Sequence, residues 1–154
     1  MVRLNDLPEE ERAHLLGKRI DPFQTAPFVH GPPLNKRRVA IVTTAGLHRI
    51  DDRQFSFVDL TYRVIPGDIP AEELAMTHSS VHFDRTGFRE DVNVVFPIDR
   101  LHELAKQGEI GSVARFHYSL MGAGWLPEQI EPTARQIGRL LKDDGVNAVV
   151  LSPV

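Results

Sequence analysis

The first strong hydrophobic signal in the chain is the run Arg38-Val-Ala-Ile-Val-Thr-Thr44, headed by Lys36, Arg37 and Arg38. An apolar run without alternation belongs to a strand buried on both faces, as in parallel sheets. It gives way to small and polar residues, Thr43-Thr-Ala-Gly-Leu-His48. Ligands of parallel sheets bind beyond the carboxyl ends of the strands, so this turn is a candidate site wall. A second run, Phe57 to Ile65, alternates imperfectly and is expected as a strand stopped by Pro66-Gly67. Pro70 and two glutamates start one helical turn within Ile69 to Leu74, and Ala75 to Ser80 reads as another short strand. Residues 79–96 are polar and irregular. Pro97 then opens a helix whose Ile98, Leu101, Leu104 and Ala105 share one face, and Gly108 closes it. Ile110 to Tyr118 predicts a strand, and Met121 to Gly124 a flexible turn. A last helix runs from Pro127 to Lys142, with an apolar stripe of Ala134, Ile137, Leu140 and Leu141. Asp143-Asp-Gly145 ends it, and Asn147 to Val154 forms a buried strand. Strands alternating with helices predict an α/β domain, a mostly parallel sheet with helices on its faces, over residues 37–154.

Residues 1–36 read as an N-terminal arm. Pro8 to Leu16 is a short helical pattern with three glutamates in its first turn, where the helix dipole favours them. The Pro-rich segment that follows has no period and is expected to lie extended on a surface. The 154 residues suit one compact domain, able to bury roughly two thirds of its unfolded surface. A net charge of -3 gives no field to hold nucleic acid or an anionic membrane. No apolar run approaches the ~20 residues that span a bilayer, and the N-terminus lacks the pattern of a signal peptide, so the expected location is cytoplasmic. The chain has no cysteine, so it holds no disulfide, no thiolate metal site and no thiol nucleophile of its own.

Three groups of residues carry candidate chemistry. His78, His82 and Asp84, in Thr-His-Ser-Ser-Val-His-Phe-Asp, are proton-transfer candidates, the alternative being a solvated loop. A metal site needs three converging ligands, which this spacing does not supply, and none is expected. Thr43, Thr44 and His48 are placed to bind a substrate carboxylate, the alternative being a capped turn. Arg85 is a candidate for bidentate carboxylate binding, the alternative being a solvated loop arginine. Asp91 and Asn93 read as turn formers, Asp99 and Arg100 as dipole and surface-pair residues, and Trp125 as packing. His117 and Tyr118 are expected at a strand end. Gly122-x-Gly124 lacks the third glycine and the lysine of a phosphate loop.

The run Met76 to Gly124, with its D-x-N-x-x-F-P-x-D-R-L and I-G-S-V patterns, resembles the central segment of selenoprotein B in the glycine/sarcosine/betaine/D-proline reductase family. The flanking VAIVTTAGLHRIDD (39–52) and the closing LLKDDGVNAVVLSPV (140–154) are similar to it as well. The resemblance covers about three quarters of the chain, from near residue 37. It implies an oxidoreductase subunit for reductive C–N cleavage of an amino acid or amine, coupled to a dithiol. It also implies a selenocysteine or cysteine immediately after Val154, so that the α/β domain is incomplete at its C-terminus and the isolated chain inactive. The resemblance further implies partner reductase subunits and, in glycine-type systems, a pyruvoyl group on one of them. A homo-oligomer is expected, because a sheet that ends on a buried strand exposes apolar surface. The other readings are a naturally short, non-catalytic α/β binding or subunit-interaction domain, and an unrelated hydrolase or isomerase built on His78, His82 and Asp84. Absence of the G-x-S-x-G, H-E-x-x-H and P-loop signatures weighs against the last.

Overall fold

The structure is a computed structural model that describes residues 3–17, 28–80 and 85–154. It divides into two compact units, Met1–His30 and Gly31–Val154. In the first, α1 (Glu9–Gly17) follows a single 3-10 turn and buries no residue. The three glutamates of its first turn account for where it starts.

The second unit is an α/β domain with a mixed sheet. Its central strand, β1 (Arg38–Thr43), is buried along most of its length, as the apolar run predicts. β7 (Ala148–Ser152) pairs parallel to β1 on one side over five residues. On the other side lie β5 (Ser112–Val113) and β6 (Phe116–Leu120), both parallel to β1. β3 (Tyr62–Pro66) pairs antiparallel to β6 and closes that edge. The sheet is therefore not wholly parallel. β2 (Leu47–Arg49) and β4 (Leu74–Met76) form a separate antiparallel pair. The second apolar run forms a strand only from Tyr62 onward, because Phe57 to Thr61 are taken up by the loop before it. The stretch expected to be irregular contains a short helix, α2 (Thr86–Glu90), and a 3-10 turn at Val92–Val94. Asp91 caps that turn, accepting from the Asn93 N–H at 2.9 Å, as its turn-forming residue type predicts.

α3 (Ile98–Lys106) buries Ile98 and Leu101 in the cluster under β1, with Phe96 and Val95. α4 (Pro127–Asp143) buries Ile130 and Ile137 against Tyr118 and Leu120 on the opposite face of the sheet. Trp125 packs into that second cluster, which is a structural role.

The strand expected over Ile110 to Tyr118 is broken by a bulge. Val39 faces Val113 and Val42 faces Tyr118, so three steps along β1 match five along its partner. Such an insertion breaks the ladder and orphans backbone groups. Two side chains repair it. The Ile41 N–H donates to His117 Nδ1 at 2.8 Å. The Arg115 N–H donates to Asp144 Oδ2 at 2.9 Å, while Asp144 Oδ1 accepts from Arg38 at 2.7 Å. His117 thus sits inside a strand, not at a strand end. Its bond to Ile41 fixes the neutral tautomer with the proton on Nε2. Burial, and then the nearby His102, push its pKa down to about 4.

This shift makes stability pH-dependent. The folded pKa lies below the ordinary value of 6.5. The unfolded chain therefore binds the proton more readily, and stability falls as pH drops from about 6.5 toward 4. Urea denaturation is expected to show a loss of about 2 kcal/mol between pH 7 and pH 5. His117→Phe should shrink that pH dependence and cost about 1–3 kcal/mol at pH 7, since the Ile41 N–H loses its acceptor. An unchanged pH dependence in the variant would refute this role.

Candidate functional site

Four segments meet at the carboxyl ends of β1, β6 and β7. The Thr44 N–H donates to Ser152 O at 3.1 Å, and the Gly46 N–H donates to Leu120 O at 2.9 Å. The Thr77 N–H donates to Gly46 O at 2.9 Å, bringing in the segment after β4. Gly46 has φ +66, and a Cβ there would collide with the Thr77 carbonyl, so only glycine makes this crossing. Gly122, past β6, is equally constrained: a Cβ would lie 2.8 Å from Thr44 O and 2.9 Å from Val154 O. The chain at Val154 is held in the same place. Its N–H donates to Thr44 Oγ1 at 2.9 Å.

His78 is buried at this junction. Its Nδ1 accepts from the Ser80 N–H at 3.1 Å, and the Thr44 backbone lies near enough to the ring to influence its pKa. Burial, then the Arg85 charge, hold its pKa below the ordinary histidine value, against the opposing pull of the Thr44 backbone. The Arg85 guanidinium donates to the His78 carbonyl. The Ser79 N–H meets Met121 Sδ at 3.4 Å. His82 and Asp84 lie outside the described residues.

The structure brings Thr44, His78 and Arg85 together. Thr43 and His48 are built in differently. Thr43 is fully buried, and its Oγ1 accepts from the Ala45 N–H at 3.2 Å. His48 is buried with both ring nitrogens engaged, one with Arg49 O at 2.7 Å and one with Thr77 Oγ1 at 2.9 Å. It fastens β2 to the segment that carries His78. Arg85 uses one N–H on His78 and retains further donors.

One network went unread in the sequence. Arg63, on β3, is buried and pairs with the buried Asp59 at 3.3 Å. It also donates to Arg53 O and Gln54 O and lies 4.2 Å over the Phe55 ring. Burial works to raise the Asp59 pKa, but bonds from Thr61 and Ser56, with the Arg63 charge, hold it below the usual carboxylate range. This pair fixes the loop from 53 to 61, which stands at the same end of the sheet as Thr44. The Asp59-x-x-x-Arg63 spacing was the available signal, hidden by the default that a strand arginine faces water.

A cleft of about 370 Å³ opens at the opposite, amino end of the parallel strands, beside the bulge. Pro66, Asp68, His102, Arg115 and Phe116 are among its lining residues. None of the predicted site residues lies there. Among the described residues, no group of three or more His, Asp or Glu side chains converges as metal ligands. No helix among them is long and apolar enough to cross a membrane.

Residues 18–154 match the profile of glycine/sarcosine/betaine reductase selenoprotein B. The chain belongs to this selenoprotein B family. It is 37% identical over 121 residues to the D-proline reductase subunit gamma of Acetoanaerobium sticklandii, covering 77% of this chain and 49% of that protein. It is 30% identical over 127 residues to the glycine reductase complex component B subunit gamma of Symbiobacterium thermophilum, covering 77% of this chain and 29% of that one. Against the betaine reductase complex component B subunit beta of Peptoclostridium acidaminophilum it is 29% identical over 123 residues, covering 77% and 28%. The chain thus spans half or less of the length of these selenoprotein B relatives. No solved structure gives a significant match.

The site geometry makes Thr44 the tie between two strand ends. Thr44→Val removes the acceptor for the Val154 N–H. Hydrogen exchange at that amide should speed up while β1 amides stay protected, with a stability loss of about 1 kcal/mol. Unchanged exchange at Val154 would show that the bond has no weight.

Proposed function

We propose that this chain forms the substrate-side half of a reductase active site, at the carboxyl edge where Thr44, His78, Arg85 and Val154 converge. The reaction is reductive cleavage of the C–N bond of an amino acid or amine. The C–N bond breaks, nitrogen gains a proton, carbon gains a hydrogen, and a dithiol is oxidised to a disulfide. The chain has no cysteine, so the redox atom comes from polypeptide outside these 154 residues. A selenocysteine or cysteine following β7 fits that requirement, because the end of β7 is held against Thr44. In a glycine-type system, a pyruvoyl group on a partner subunit would hold the amine. The enzyme works in the cytoplasm as part of a multi-subunit complex.

His82 and Asp84 are the proton-transfer pair, and His78 is a positioning residue. The observation that carries this division is the anchoring of both ends of their segment. The buried His78 accepts the Ser80 N–H at Nδ1, and its carbonyl accepts from Arg85. A buried histidine with Nδ1 taken by a backbone N–H orients a loop better than it exchanges protons. The remaining Arg85 donors face the substrate carboxylate, and Thr44 bounds that side of the site while holding Val154.

The test uses the chain assembled with its partner subunits and redox polypeptide, following dithiol-dependent substrate cleavage. His82→Ala should lower kcat by about 10²–10⁴ with little change in KM. Arg85→Ala should raise KM. His78→Gln should lower kcat less than His82→Ala and should slacken the segment, seen as faster hydrogen exchange over residues 79–84. Full activity of His82→Ala overturns the assignment. Activity independent of all three residues favours a non-catalytic interaction domain.

A further inference from the structure

We infer that Val58 is a positioning residue, which braces the turn from Met121 to Gly124 and, through the Met121 thioether, the segment that begins at His78. The inference rests on the site reading above for what the brace serves. Val58 has φ +57, the one positive value at a non-glycine residue among the described residues. A branched β-carbon is strained there, and such strain persists only where the surroundings over-determine it. They do so on both sides of Val58. The Asp59 carboxylate accepts from the Ser56 N–H at 3.3 Å and the Thr61 N–H at 2.8 Å, and Arg63 pairs with it. Leu60 O accepts from Thr133 Oγ1 at 2.7 Å, which ties the loop to α4. Glycine or asparagine would form the same turn without strain, so the position uses the valine branch rather than its backbone.

That branch is set against a glycine. Gly124 has φ +87, and a Cβ there would lie 2.9 Å from Val58 Cγ2. The Val58 side chain therefore rests on the Gly124 backbone. The turn is pinned at its other end by Met121, which bridges to Ala45 and whose carbonyl accepts from the Trp125 indole N–H. The Met121 side chain is buried, and its Sδ accepts from two donors of one residue, the Ser79 N–H at 3.4 Å and the Ser79 hydroxyl at 3.5 Å. A thioether is a weak acceptor, so these bonds depend on the sulfur staying where packing puts it. A line of contacts thus runs from Val58 through Gly124 and Met121 to Ser79, next to His78.

Amide exchange of the full chain separates this relay from simple packing. Val58→Gly and Val58→Asn relieve the backbone strain and remove the branch. Both should speed exchange at the Ser79 amide about 10-fold, while the β1 amides stay protected and the thermal midpoint does not fall. Val58→Thr keeps the branch at this half-buried position and should behave as wild type. Met121→Leu keeps the bulk and removes the acceptor, so it should match Val58→Gly at Ser79. The double variant should then be no worse than Met121→Leu alone. In the enzyme assembled with its partner subunits and redox polypeptide, Val58→Gly should lower kcat roughly 10–100-fold with little change in KM. Unchanged exchange at Ser79, additive effects in the double variant, or a loss in Val58→Thr equal to that in Val58→Gly overturns the proposal. So does full activity of Val58→Gly where His82→Ala is inactive. If both variants are fully active, the site reading fails and the exchange data alone decide the brace.

Discussion

The domain depends on a repair. Its central strand is flanked on one side by a partner with two residues too many, which orphans backbone donors, and the buried one at Ile41 could not be left unpaired without cost. His117 and Asp144 take the two orphaned donors, at Ile41 and Arg115. Asp144 also receives Arg38, tying the end of α4 to the start of β1. Burial works to raise the Asp144 pKa, but the bonds from Arg38 and the Arg115 N–H outweigh it, and the carboxyl stays below its usual range. With these contacts the bulge is a fixed corner. Beyond it, β6 resumes pairing with β1 at Val42 and Thr43 and delivers Leu120 and Met121 to the carboxyl edge.

The same corner explains what was legible in the sequence and what was not. β1, α3 and α4 follow from local pattern: an unbroken apolar run, a stripe at helical spacing, a proline at the start. Their cause lies within a few residues. β7 forms where its apolar run predicts, but it is not the buried strand expected: Val149 and Leu151 are exposed, because nothing among the described residues packs over them. β5 and β6 read as one strand because Ile110 to Tyr118 is apolar enough throughout, and the break is set by a histidine and an aspartate 27 positions apart in sequence. β3 was read too long for a similar reason. Phe57 and Leu60 look like strand residues, but Asp59 and Arg63 draw that segment into a loop. Both misses are long-range or loop-forming polar contacts, which hydrophobic periodicity does not encode.

The candidate site divides along the same line. The turn after β1 was legible as a site wall from small, polar residues at the end of a buried run. Residue by residue, its chemistry sorted by burial. Thr43 and His48 spend their polar atoms inside the protein, whereas Thr44 stays half-buried at the edge. His78 is a proton-carrier candidate by type and spacing. It is buried, with Nδ1 accepting from the Ser80 N–H and its carbonyl accepting from Arg85. A histidine with a depressed pKa is neutral at physiological pH and adds no charge to that buried junction.

Lack of cysteine and a well-built carboxyl edge belong to one argument. A dithiol-coupled reduction needs a polarisable nucleophile, a proton source and a grip on the substrate. This chain contains candidates for the second and third and nothing for the first. Gly122 and Thr44 leave no room for side-chain bulk beside Val154, so β7 is held in register right up to that point. Holding a strand end this tightly is costly in conformational freedom and contributes little to a core that α3 and α4 already close. It suits the proposed function, because a displacement of about 1 Å in a positioned nucleophile costs on the order of 100-fold in rate. The amino-end cleft lies at the opposite end of the strands from every one of these groups. The backbone at Thr44, Gly122 and Val154 is closely packed, and it is this precision, more than the size of a cavity, that supports the proposed site.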